Sequence, residues 1–315
     1  MTNLEKAIQL INKVVERLVK GSEREVLKRY AKMLAEIRSM LALLYEKYET
    51  GGVLTYEEMA KFDRLNKFLN EVNQQVSTNY KEVADTIVKL LEKVFKEGYY
   101  LTAWGIETEA QARLAYSTVT SDAILEAINN PVSGLTLKQR LEKNRAEIIY
   151  RIQQEVTQGL VKGETYREMA GRIKGVLDGD ATKAVRVVRT EAHRVQESAK
   201  HGAAAHANKQ GVIMMKEWNS MEDERVRPGR GIGKKDAKPK KADHRMLNGK
   251  KIPVDEDFVG LSGRGPAPGN LHSPAEDINC RCFLTYSIKE VVKPRHDALG
   301  DMSFDQWTKE RLKKT

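Results

Sequence analysis

The residues best suited to chemistry crowd into the last third of the chain. Its two cysteines, Cys280 and Cys282, stand one residue apart in Asn279-Cys280-Arg281-Cys282. A disulfide at that spacing closes a strained ring, and paired thiols near histidines fit metal binding better. Upstream lie Asp223-Glu224-Arg225-Val226-Arg227 and Asp243-His244-Arg245-Met246-Leu247-Asn248-Gly249-Lys250. Together Asp223, His244, Cys280 and Cys282 supply the oxygen, nitrogen and sulfur donors that zinc accepts in tetrahedral sites. His244 is the first choice of nitrogen donor and His272 the alternative. Asp223 reads as a ligand or as the group that orients His244. The spacing is not a standard zinc-finger pattern. Two buried free thiols in a small core account for the same residues without an ion. Both readings stand.

Two further features carry charge. Lys216 to Lys251 holds twelve Lys/Arg against six Asp/Glu, and its centre contains Lys234, Lys235, Lys238, Lys240 and Lys241 among Gly and Pro. So polar a run reads as a basic arm able to touch phosphates without reading sequence, or as a solvated insertion with no partner. The formal net charge of +10 favours nucleic acid or acidic protein surfaces as partners. The second feature is Arg189-Thr190-Glu191. Residues two apart on a helix point to different faces, so periodicity alone favours a solvated or weakly paired triplet. A metal, a histidine and an asparagine also recur in nucleases. A compact His-Asn-His arrangement is absent here, and the expectation is a protein that is not an enzyme.

The elements that must position these residues are mostly helices. Leu4, Ile8, Ile11, Val15 and Leu18 form one apolar stripe, and Val26 to Leu44 another, with Gly21-Ser22 read as the break between two helices. Gly51-Gly52 ends that pattern, and Thr55 with Glu58 caps the next helix. Stripes continue through Phe62 to Val94. Gly98 to Gly105 reads as a break or tight turn, and an Ala-rich helix follows over about 107–129. Leu141, Ile148, Ile152, Val156 and Leu160 mark a helix stopped at Gly163. A short helix then precedes Asp178-Gly179-Asp180, and another runs over about 181–208. At Gly211 helical periodicity gives way to a strand, Val212 to Trp218, and returns only at Ser303 and Gln306, a capping pair for a last short helix with Trp307.

The expected fold is therefore mainly α, a long helical body followed by a small α+β, loop-rich C-terminal module. Its divisions fall at 1–110, 111–210, 211–290 and a tail over 291–315. No stretch approaches the roughly 18 apolar residues of a membrane span, and the charged start shows no signal peptide. These point to a protein made and used in a cytosol, with no membrane partner.

In order, these features resemble a known family. Gly134-Leu135-Thr136-Leu137, Arg140, Gly159-Leu160, Gly163-Glu164-Thr165 and Arg189-Thr190-Glu191 are similar to its helical half. Trp218, Asp223-x-Arg225-x-Arg227, His244, Leu247-x-Gly249, Phe258, Pro268-Gly269 and Asn279-Cys280-Arg281-Cys282 resemble its terminal half. The family is that of the phage head morphogenesis (minor head) proteins, similar to protein F of phage Mu and gene product 7 of phage SPP1, and the likeness covers about residues 115 to 288. It implies a structural component held in few copies inside a tailed-phage head and made in the host cytoplasm. Its implied partners are the portal protein and also packaged DNA, scaffold or major capsid protein. It also implies an anchoring role for Arg189 and Glu191, and motif positions at Trp218, Arg225, Arg227, Gly249, Asn279 and Arg281. The alternative is a metal-dependent nuclease or toxin-like domain on a phage scaffold. One departure stands out: sixteen residues, Pro228 to Asp243, separate Arg227 from His244, which in the family lie almost adjacent.

Overall fold

The computed structural model describes residues 1–132, 134–228, 241–292, 299 and 302–312. Its elements, in order, begin with α1 (Asn3–Tyr48), α2 (Tyr56–Ala60), a 3₁₀ turn (Lys61–Asp63), α3 (Arg64–Ala110), α4 (Ser121–Asn129), α5 (Leu137–Lys162) and α6 (Tyr166–Lys209). Then come β1 (Val212–Asn219), β2 (Lys251–Pro253), β3 (Phe258–Val259), β4 (Arg264–Gly265), α7 (Pro274–Asp277), β5 (Phe283–Val291) and α8 (Phe304–Arg311). A helical N-terminal part followed by a small mixed α/β part is the expected class.

Three expected breaks are not breaks. Gly21-Ser22 lies inside α1, Gly98 to Gly105 inside α3, and Asp178-Gly179-Asp180 inside α6. For Gly98 and Gly105 the reason is packing. A Cβ on Gly105 would stand 2.8 Å from Ala7 Cβ and 3.1 Å from Leu4 Cα, and one on Gly98 would stand 3.1 Å from Ala199 Cβ. Those glycines let helices approach closely, and burial of the flanking apolar stripes outweighs the roughly 1 kcal/mol that an interior glycine costs. Conversely, the expected Ala-rich helix begins late. The chain leaves α3 at Gln111 with positive φ, runs irregularly, and re-enters a helix only where Thr120 caps Ala123 N–H. Thr55 and Ser303 cap as expected, Ser303 with Gln306 as a reciprocal box.

The chain forms two compact units, each assembled from separate stretches. One comprises Gly21–Val88 and Leu137–Val188 and is wholly helical apart from its connections. Val26, Met33, Ile37, Leu41, Val83, Ile87, Ile148 and Ile152 are buried there. Asp180 is buried as well, taking hydrogen bonds from the Tyr30 and Tyr80 hydroxyls. Burial raises its carboxyl above the usual range despite those two donors.

The other unit comprises Met1–Lys20, Lys89–Thr136 and Arg189–Thr315. Its sheet runs β2-β1-β5, antiparallel throughout, with Trp218 opposite Leu284 and a bulge between Ile213 and Met214. Alternate residues of β1 are buried, as expected of a strand with one face on a core. The sheet is fastened to α6 by polar side chains. Lys200 and Glu197, both fully buried and paired at 2.7 Å, bind the Leu284 carbonyl and N–H respectively. The last helix closes the same core: Trp307 is fully buried, and its indole N–H donates to Glu107 at 2.7 Å, beside Arg311.

Candidate metal centre

The centre is built where β1 ends and β5 begins. Trp218, near the end of β1, is fully buried, and its backbone carbonyl accepts the N–H of Gly249 at 2.8 Å. This holds the turn carrying His244 against the strand. Gly249 has a φ of +74°, a conformation that suits glycine. The His244 N–H donates to the Arg227 carbonyl, so the insertion between Pro228 and Asp243 is closed at its base and His244 returns beside Arg227. Arg227 in turn donates to the carbonyls of Glu276 (3.0 Å) and Ile278. Asn279, at φ +57°, turns the chain out of α7, and Cys280 N–H binds the Asp277 carbonyl. Asp277 fixes the preceding loop through the N–H groups of Leu271 and Ser273.

These turns bring His244, Cys280 and Cys282 together in a buried cluster whose donor atoms lie within 4.8 Å of one another. His244 Nδ1 stands 3.5 Å from Cys280 Sγ and 3.4 Å from Cys282 Sγ. Nitrogen and sulfur ligands at about 2.0 and 2.3 Å from one tetrahedral zinc stand about 3.5 Å apart, so the spacing suits one ion. The far side of the ring is held as well: Nε2 is 2.8 Å from Glu276 Oε2, a carboxylate that is fully buried and also accepts Ser262 N–H. A carboxylate behind a metal-facing imidazole fixes the ring's orientation and raises its basicity. Without an ion, burial opposes charge on His244, but hydrogen bonds to Cys280 and Glu276 outweigh it and raise the ring to about 9. Burial pushes the Cys280 thiol up, whereas Cys282 is held low by the hydrogen bond with Cys280, with the Trp218 indole and Arg227 contributing.

The remaining candidates fall elsewhere. Asp223 is exposed and forms a two-point pair with Arg281 at 2.7 and 2.5 Å, so it is neither a member of the cluster nor the group behind His244. An aspartate four residues past the end of β1 faces solvent here and pairs with Arg281. Glu276 does the orienting instead; it sits in the motif region, but nothing in its spacing sets it apart from Asp277. His272 is exposed and outside the cluster. Arg225 is exposed, with its N–H on Asp223. In the Arg-Thr-Glu triplet, Glu191 is buried against Arg194, and Arg194 donates to the Ala127 and Ile128 carbonyls at the end of α4. Arg189 lies on the exposed face of α6. Of the basic arm, Lys241 is exposed, while Lys234, Lys235, Lys238 and Lys240 lie outside the described residues. No described helix is long and apolar enough to cross a membrane.

Comparison with known proteins gives the architecture a family. Residues 150–285 match the phage Mu protein F like protein family. The minor head protein GP7 of Bacillus phage SPP1 is 33% identical over 311 residues, covering 96% of both chains. This chain belongs to that family of minor head proteins. A second similar protein, named as the NAD(+)–arginine ADP-ribosyltransferase EFV of Enterococcus faecalis, is 27% identical over 293 residues. That match takes in 90% of this chain but 56% of the transferase, so the minor head chain spans about half that relative's length. No solved structure matches. The transferase-like relative and the metal-capable cluster overturn the expectation of a strictly non-catalytic protein.

Proposed function

We propose that this minor head protein is a component of a tailed-phage head that binds the portal and acts in head assembly and in packaging or delivery of DNA. The observation that carries this reading is the end-to-end similarity to the minor head protein GP7, which leaves almost none of either chain unmatched. The basic stretch supports a DNA-facing role, because a surplus of cations on a Gly/Pro-rich segment suits phosphate contact. The test is direct binding: purified chain mixed with purified portal should co-migrate on a gradient. Separate migration at micromolar concentrations of both counts against the reading.

Within that role His244, Cys280 and Cys282 hold a zinc ion that ties the β1–β2 turn to the start of β5. Their mutual spacing and the Glu276 carboxylate behind His244 support this. When bound, such an ion supplies a cross-link and Lewis acidity; the chain's own residues supply the orientation.

A second reading has its own observations: the donor cluster and the transferase-named relative favour an enzymatic activity in addition. It is tested by incubating the full chain with plasmid DNA and divalent metals, and separately with NAD+ and an arginine acceptor, each beside a His244→Ala control. Turnover lost in the control supports it. No turnover in either assay rejects it.

A further inference from the structure

Three donors leave one tetrahedral position to be filled. The obvious oxygen donors are committed: Asp223 to Arg281, and Glu276 to His244 and the Ser262 N–H. Helix α6 brings up another group. His193 precedes Arg194, whose guanidinium locks this turn of the helix to Glu191 and to the two carbonyls ending α4. The Pro268-Gly269 turn lies beside it: a Cβ on Gly269 would stand 3.3 Å from Arg194 Cα and in ordinary contact, at 3.6 Å, with His193 Cδ2.

The His193 Nε2 is buried, yet it makes no well-formed hydrogen bond. Leaving a buried ring nitrogen without a partner costs its desolvation, so the position asks for a ligand. Beside burial, the group that acts most on the His193 ring is Cys280, with Glu197 and Lys200 contributing, and the Cys280 sulfur also faces His244 and Cys282. His193 stands outside the tight group of three, reached through Cys280.

We propose that His193 is the fourth ligand of a Cys₂His₂ zinc site completed with His244, Cys280 and Cys282, its ring turning from α6 onto the ion. The proposal rests on the metal reading above and deepens it. It changes what the ion joins. Three ligands link only the turns around β1 and β5, whereas a fourth from α6 staples those turns to the helix carrying the Arg-Thr-Glu motif.

The test uses the full chain. Zinc content is measured on wild type, His193→Gln and His193→Cys, followed by cobalt substitution and X-ray absorption at the zinc edge. Wild type should hold one zinc with two sulfur and two imidazole neighbours. His193→Gln should bind at least tenfold more weakly, and His193→Cys should keep the ion and add a third thiolate-to-cobalt charge-transfer contribution. If His193→Gln binds zinc with unchanged affinity and unchanged cobalt spectrum, the fourth ligand is another group and the proposal falls while the metal reading stands. Should His193→Gln not fold, a metal-loaded His193→Cys with no added thiolate contribution overturns it equally. A folded wild type free of zinc, and unable to take it up, removes both readings.

Discussion

At the scale of single residues, the centre depends on groups of unequal visibility. His244, Cys280 and Cys282 are legible from residue type alone, because soft and borderline donors are scarce in this chain. Glu276 is not: one of two adjacent carboxylates becomes buried behind the imidazole, and only the turn of α7 decides which. Its role is checkable. Glu276→Gln keeps the shape but removes the charge behind His244, and zinc affinity measured by competition with a chelator should fall about 10–100-fold. Unchanged affinity would show that the ring needs no such support. A second residue-scale prediction concerns His201. Burial, and then the nearby Lys216 charge, pull its ring down to about 4, against 6.5 for an exposed imidazole. Between those values the unfolded chain takes up a proton that the folded chain refuses. Stability therefore falls as pH drops from about 6.5 to about 4, by at most about 3 kcal/mol. Thermal unfolding of wild type and His201→Gln across that range should show the variant losing less. Parallel loss in both would contradict the assignment.

At the scale of elements, apolar periodicity located the helices, and glycine misplaced their ends. Gly105 and Gly98 look like breakers in a sequence, yet each lies at a close helix contact, and only the neighbouring helix reveals which use applies. Gly105→Ala should accordingly destabilise the protein by about 1–3 kcal/mol, although alanine is the better helix former. A rise in the denaturation midpoint would show that the contact is looser than described. The short last helix carries a similar lesson in the other direction. Ser303 and Gln306 announced it, but its importance lies in Trp307, buried against Glu107. Trp307→Ala should cost about 3–5 kcal/mol in equilibrium unfolding, as for other large core truncations. A cost below 1 kcal/mol would mean that the tail is an ornament on the core. The sheet was only half legible. β1 has the length and composition of a strand and could be read, whereas β2, β3 and β4 are two or three residues long, too short for any period to register.

At the scale of the whole molecule, the mainly helical N-terminal part and the small mixed C-terminal part were both legible. The two compact units were not, because each is assembled from stretches far apart in sequence. The long insertion before His244 looked like a departure that endangered the centre. Closure of its base by the His244–Arg227 backbone bond explains how the family arrangement tolerates it. Removal of residues 231–241 should lower DNA affinity and flatten its salt dependence. Equal slopes with and without the segment would leave it without a nucleic-acid role. Membership of a phage head is checked by the composition of assembled particles. When this chain is co-expressed with the portal, scaffold and major capsid proteins of a tailed phage that carries it, gradient-purified heads should contain it in a few copies. Heads assembled without portal should contain none. Its absence from portal-containing heads, with all of it left in the soluble fraction, would rule it out as a head component.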